Sequence, residues 1–201
     1  MENFKKGFTI IELVVVTAVF LFIIGAAIGI FISVVQNQKK VLAEQQLINQ
    51  ISYVEEYMSK ALRVAKKSDG GTCIPTGYIY LLTRYDTDKG LFGNIKFINQ
   101  SDNNTCAEFF LDTDGILKEI KNGAASPVAL TPASIKINYA KFSVNGSDGS
   151  ASGCADPNSC GASETDDVQP RVTMLLNISI PGENYGRTIQ TTVSQRNLNV
   201  K

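Results

Sequence analysis

Glu12 is the residue in this chain whose surroundings most demand chemistry. It lies four residues after Phe8, at the mouth of a run from Leu13 to Val35 that holds no charged residue. That run is aliphatic and phenylalanine-rich, broken by Thr17, Gly25, Gly29 and Ser33. An apolar stretch longer than ~18 residues reads as a membrane-spanning helix. An unpaired carboxylate there costs roughly 2.5 kcal/mol or more, so something is expected to pair with Glu12. The plainer reading is that Glu12 marks the water boundary of the helix. Elsewhere the sequence offers little to an enzyme. Histidine is absent, which removes Ser-His-Asp and Cys-His arrangements and every histidine metal site. No Walker-type or dinucleotide glycine pattern occurs. No catalytic residue, metal site or cofactor is therefore expected. Nineteen basic residues balance nineteen acidic ones, so no general attraction to nucleic acid is implied.

The residues from Gly7 to Glu12, Gly-Phe-Thr-Ile-Ile-Glu, together with the apolar run, resemble the type IV pilin-like family, the prepilins and pseudopilins. Members carry a short basic leader ending in glycine, here Met1 to Gly7 with Lys5 and Lys6. The resemblance implies that a prepilin peptidase cuts between Gly7 and Phe8 on the cytoplasmic side and that Phe8 is N-methylated. Glu12 then becomes the fifth residue of the mature chain. Cleavage exposes a cationic α-amine on Phe8, at the positive end of a helix dipole. Four residues at ~1.5 Å rise place Glu12 roughly 6 Å along the same face. In the family, this glutamate is thought to meet the amine of a neighbouring subunit and fix the stagger of a growing filament. Glu12 is thus expected to act in filament assembly as a register device.

These residues depend on the elements around them for their positions. The leader, 1–7, lacks a small-residue site after the apolar run and so is not a Sec-type cleaved signal. The hydrophobic half of the helix covers 8–35, and an amphipathic half covers 36–67. In the latter, Leu47, Ile51, Val54, Met58, Leu62 and Ala65 recur at intervals of three or four, a stripe expected to pack on the domain's own sheet. No proline interrupts 9–67, so one continuous helix ending at Asp69-Gly70-Gly71 is expected. Gly25 and Gly29 read either as a soft point or as small-residue helix contacts.

From 68 to 201 the pattern is β. Strands are expected over Tyr78–Tyr85, Asn94–Asn99, Ala107–Leu111, Ile116–Ile120, Ser134–Val144, Val172–Ile180 and Arg187–Leu198. The third and fourth form a hairpin about Asp112-Thr113-Asp114-Gly115. A helix followed by mainly antiparallel strands is α+β; the resemblance makes this a pilin-like fold. Residues 145–170, dominated by Ser, Gly, Asp and Ala, read as a long surface loop. The acidic clusters Asp86-Thr87-Asp88 and Asp112-Thr113-Asp114 have two readings, calcium loops or turn chemistry; neither continues into EF-hand spacing.

Cys73, Cys106, Cys154 and Cys160 all lie beyond the apolar run. An even number on the outer side of a membrane points to disulfides, with three connectivities possible. Cys154 and Cys160 share one short stretch, so a local pair there leaves Cys73 with Cys106. The rival, a four-cysteine zinc site, lacks closely spaced cysteine pairs; unpaired thiols stay open as a third reading.

These readings converge on a minor prepilin or pseudopilin, anchored by a single pass in the inner membrane of a bacterium. Its N-terminus is expected inside and its C-terminal domain outside. Its partners are expected to be the prepilin peptidase and methylase, other major and minor pilins, the inner-membrane assembly platform and the lipid bilayer. The filament is that of a type II secretion-like system or a type IV pilus. Two alternatives differ in their outer domain: a minor pilin that binds a ligand or DNA in adhesion or competence, and a signal-anchored extracytoplasmic binding domain that never polymerises.

Overall fold

A computed structural model describes residues 7–87, 90–124, 126–145, 159–163, 169–179 and 186–196. The chain divides into two units, Met1–Gln46 and Leu47–Lys201. One helix, α1 (Ile10–Arg63), belongs partly to each. In the first unit, every residue from Gly7 to Val34 is exposed. Among the described residues, α1 is the helix long and apolar enough to cross a membrane.

In the second unit the expected stripe is the core face. Leu47, Ile51, Val54, Met58 and Leu62 are all buried, joined by Ala61. They meet Tyr80, Ile95, Phe97, Phe109, Phe142, Met174 and Leu176 in one hydrophobic cluster. Burying each large apolar side chain contributes about 1.5–3 kcal/mol. The polar residues of the same segment lie on the other faces, which is why periodicity alone found the core side.

The helix stops earlier than expected, at Arg63 rather than at Asp69-Gly70-Gly71. No glycine ends it. The last carbonyls are taken by donors from distant strands instead. Tyr80 Oη donates to Leu62 O at 2.7 Å, and the Arg196 N–H donates to Arg63 O at 2.8 Å. The Gln100 N–H reaches Val64 O at 3.3 Å, and Gln195 Nε2 reaches Ala65 O at 2.8 Å. Helix ends leave such acceptors open, and external donors satisfy them as well as a further turn would. Ala65 keeps its place in the core, but as the first residue of β1 (Ala65–Lys66), which pairs with the strand at Ile98–Asn99.

The remaining strands are β2 (Tyr78–Asp86), β3 (Leu91–Asn99), β4 (Thr105–Leu111), β5 (Leu117–Lys121), β6 (Val128–Ala129), β7 (Lys136–Asn145), β8 (Ser159–Ser163), β9 (Arg171–Ser179) and β10 (Gly186–Ser194). All the pairings are antiparallel, in the order β10-β9-β7-β3-β4-β5-β6. The protein is α+β, a long N-terminal helix on a large antiparallel sheet. β3 is the branch point. One edge pairs with β2 and β1; the other meets β7 at Phe92 and β4 from Asn94 onward. The sheet therefore forks between β4 and β7.

The expected hairpin is present as β4 and β5. Gly115 has a φ of 76°, and a Cβ there would lie 3.0 Å from Ile137 O, so both conformation and space require glycine. Asp112 accepts the Thr113 N–H at 2.7 Å and pairs with Lys118, while Asp86 pairs with Lys141 at 2.5 Å. Turn and ion-pair chemistry thus accounts for both carboxylates; Asp88 lies outside the described residues. A second difference falls in 145–170, expected to be loop. Ser159–Ser163 pairs with β2 from Tyr78 to Thr83. A Ser-Cys-Gly-Ala-Ser segment has no apolar alternation to betray a strand; its ladder comes from the neighbour. Leu198, expected to close the last strand, lies outside the described residues.

One buried carboxylate binds helix to sheet. Glu119, 3 % exposed, accepts Tyr57 Oη at 2.7 Å, with Lys121 Nζ at 4.0 Å from the same oxygen. Burial first, and the neighbouring Glu119 second, push the Tyr57 phenol up to about 12. A phenol whose folded value lies above its unfolded value of 10 contributes stability that is complete below pH 10. That contribution is lost as pH rises through about 12. Tyr57→Phe is expected to cost about 1.5–3 kcal/mol at neutral pH, because Glu119 loses its hydrogen-bond donor. The wild type's advantage over the variant should shrink between those two values. Urea unfolding of both proteins across that range checks it, and equal stability at neutral pH would refute it.

Candidate functional site

The site is the entrance to α1. Gly7, Phe8 and Thr9 precede the first helical residue, Ile10. Thr9 is the N-cap. Its carbonyl accepts the Leu13 N–H at 3.2 Å, the first bond of the helix. Its Oγ1 accepts the Glu12 N–H at 3.3 Å. In return Glu12 Oε2 accepts the Thr9 N–H at 3.1 Å and the Thr9 hydroxyl at 2.9 Å. This is the reciprocal capping box of a Thr-x-x-Glu sequence. Its signal is present in the sequence, Thr9 and Glu12 three apart before an apolar run, but the expectation of an intermolecular partner passes over it.

The arrangement gives Glu12 a task within its own chain. Inside its own chain it satisfies an orphan N–H at the helix start and sits favourably against the dipole. Both of its hydrogen bonds fall on Oε2; among the described residues Oε1 accepts none. The carboxylate is therefore held in orientation through one oxygen, with the other left open. Phe8 is 76 % exposed, so its ring is not used by the fold of this chain.

Gly7 is informative for what it lacks. A Cβ added there would meet nothing within 4 Å, and its φ is not in the left-handed region. Neither turn geometry nor packing explains a glycine at this position. Thr17, the first polar residue within the apolar run, donates its hydroxyl to Leu13 O at 3.0 Å and Val14 O at 2.9 Å. It is thus satisfied without water. Gly25 and Gly29 also have open space where a Cβ would lie. Lys5 and Lys6 fall outside the described residues.

The cysteines are remote from this site. Cys73 and Cys106 form a disulfide, with Cα atoms 5.6 Å apart, joining the segment after β1 to the start of β4. Cys160 lies in β8, with its backbone opposite Leu82. The expected pairing with Cys154 lies outside the described residues.

Comparison with known proteins bears on this entrance. Residues 3–28 match the prokaryotic N-terminal methylation motif, the signature of type IV pilins and pseudopilins. The match takes in Gly7, Phe8, Thr9 and Glu12 and most of the apolar run. No curated protein and no solved structure matches the chain. The motif and the apolar helix behind it are consistent with a signal-anchored membrane protein.

Proposed function

We propose that this chain is a minor prepilin or pseudopilin, a structural subunit rather than an enzyme. Its leader, 1–7, is removed by a prepilin peptidase between Gly7 and Phe8, and Phe8 is N-methylated. The observation that carries this reading is the methylation motif at 3–28. Its glycine has no explanation in the fold, which fits recognition by an enzyme that needs an unobstructed backbone at the cut.

Residues 8–35 first anchor the chain in the bilayer and then pack among helices of neighbouring subunits. Both settings bury the side chains that are exposed in the isolated chain. Residues 36–63 lead into the sheet domain, which begins at β1 (Ala65–Lys66) and faces outward. In the filament, Glu12 Oε1 meets the α-amine of the next subunit's first residue while Oε2 keeps the Thr9 cap. That pairing replaces solvation for both charges in a low-dielectric setting. The filament belongs to a type II secretion-like system or a type IV pilus, and its major and minor subunits and the inner-membrane assembly platform are the partners.

Intact mass and N-terminal sequencing of protein recovered from native membranes test the processing step. The expected product starts at methylated Phe8. Gly7→Val is expected to leave an uncut chain while the sheet domain stays folded, since nothing packs on Gly7. A wild-type chain that begins at Met1 with the peptidase present would overturn the proposal and favour a signal-anchored domain that does not polymerise.

A further inference from the structure

The fork in the sheet leaves a cleft, and the cleft is a built site. β4 departs from β3 beyond the Asn94–Phe110 pair, and β7 joins the same edge at Phe92–Phe142. Between them opens a cavity of roughly 340 Å³, whose lining includes Arg84, Tyr85, Asn94, Asn138, Tyr139 and Lys141. Three features go beyond the needs of holding the sheet together.

The first is backbone strain. Arg84 has a φ of 64° near the end of β2, between the Thr83–Asn94 and Tyr85–Phe92 pairs, a conformation disfavoured for a residue with a Cβ. It lies opposite Gly93, where a Cβ would sit 3.4 Å from the Arg84 carbonyl. The guanidinium is turned across the cleft, and Nη1 donates to Leu111 O at 3.3 Å. The second is a half-buried ion pair, with Asp86 30 % exposed. The Lys141 side chain is 8 % exposed, with Nζ 2.5 Å from Asp86 Oδ2. Such a pair is poor value for stability alone, because desolvation offsets its attraction. The third is an unmatched acceptor. Asn94 Nδ2 donates to Glu108 at 2.9 Å, but Asn94 Oδ1 is buried with no partner among the described residues.

The neighbouring amide is already oriented. Asn138 Nδ2 donates to Asn177 Oδ1 at 2.7 Å, and Asn177 Nδ2 donates to Thr188 Oγ1 at 2.7 Å. Orientation by a second layer of hydrogen bonds is a mark of a prepared binding surface. The chemistry of the lining narrows the ligand. Two tyrosines lie along the cleft, Tyr139 and Tyr85, the latter 37 % exposed with its ring 5.0 Å from that of Phe92, and such side chains pair an apolar ring with a polar tip. Planar amides, a guanidinium and a carboxylate–ammonium pair bring donors and acceptors at close spacing. Asp86 in the wall disfavours a phosphate. The volume lies at the low end of small-molecule sites, ~300–1,000 Å³, which suits a sugar ring or two rather than a folded partner.

We propose that this cleft binds a hexopyranose unit of a saccharide, with the tyrosines against its C–H face and Arg84, Asn94 and Asn138 on its hydroxyls. The proposal does not depend on filament assembly and stands or falls on binding alone. The full chain in lipid nanodiscs, which avoids sugar-based detergents, is to be applied to an array of immobilised oligosaccharides of glucose, galactose, N-acetylglucosamine and galacturonic acid. At least one is expected to be retained with a dissociation constant in the millimolar range or tighter.

Arg84→Gly removes the guanidinium and relieves the left-handed backbone. Its thermal midpoint is expected to hold or rise, while binding falls by about tenfold, the loss of one hydrogen bond to a charged donor. Asn94→Ala is expected to weaken binding by a similar factor. A purely structural role predicts shifts in thermal midpoint with binding unchanged. Retention of no sugar in the millimolar range, or wild-type binding by both variants, overturns the proposal.

Discussion

Glu12→Ala is expected to abolish incorporation into filaments while leaving the sheet unit folded. Among the described residues, the buried cluster of that unit begins at Leu47. The variant loses a carboxylate at the entrance of an apolar helix. If that carboxylate pairs with the amine of the next subunit, its removal strands a cation in low dielectric at about 3–5 kcal/mol per contact. At the contact the subunit makes on entering the filament, that loss is enough to keep it out.

Two companion variants separate this role from the capping box. Thr9→Val removes the hydroxyl of the N-cap, costs about 1 kcal/mol locally, and is expected to assemble at near wild-type levels. Glu12→Gln keeps an acceptor for the Thr9 N–H, as capping boxes allow, but carries no charge; it is expected to fail like alanine. The readout is the fraction of the protein recovered with sheared filaments, by immunoblot against total cell protein. Normal recovery of Glu12→Ala would remove the assembly role, and recovery of Glu12→Gln alone would assign the residue to capping.

The second large effect concerns the disulfide. Replacing Cys73 and Cys106 together by serine is expected to destabilise the sheet unit by about 3–4 kcal/mol. The bond closes a loop with a sequence separation of 33, and in the chain-entropy view the unfolded state regains that freedom. For a protein of this size the thermal midpoint should fall by roughly 10 °C. The physical logic is local: the bond clamps the segment after β1 against β4, and β1 itself holds β3 with only two residues. Circular dichroism melts of wild type and double variant check the shift. The difference should vanish when both are melted in reductant. A shift under ~2 °C in oxidising buffer would show that the surrounding β pairing already carries the constraint.

How much of the fold and the site is legible in the sequence depends on whether the cause is local. Leu47, Ile51, Val54, Met58 and Leu62 announce their common face through spacing alone, and that face is the buried one. The strand over Tyr78–Asp86 and the hairpin about Asp112–Gly115 are visible for the same reason: alternation and turn chemistry are properties of neighbours in sequence. The entrance motif is legible as recognition, since Gly7, Phe8 and Glu12 are read by type and spacing. Its capping box is legible too, in Thr9 and Glu12, though the partner expected from another chain obscures it.

The sequence by itself therefore determined the membrane-type helix, its amphipathic continuation, the β character of the later residues and the processing motif at the start. Only the tertiary structure decided where the helix ends, that Ser159–Ser163 is a strand, and that the sheet forks at β3 to enclose Arg84 and Asn94. Each of these rests on hydrogen-bond partners far away in sequence. The carbonyl of Ala65 is claimed by Gln195, 130 residues on, and β8 exists because the edge of β2 offers it a ladder. A segment's own composition records the groups it must satisfy, whereas the identity of the group that satisfies them is settled only when the chain has folded.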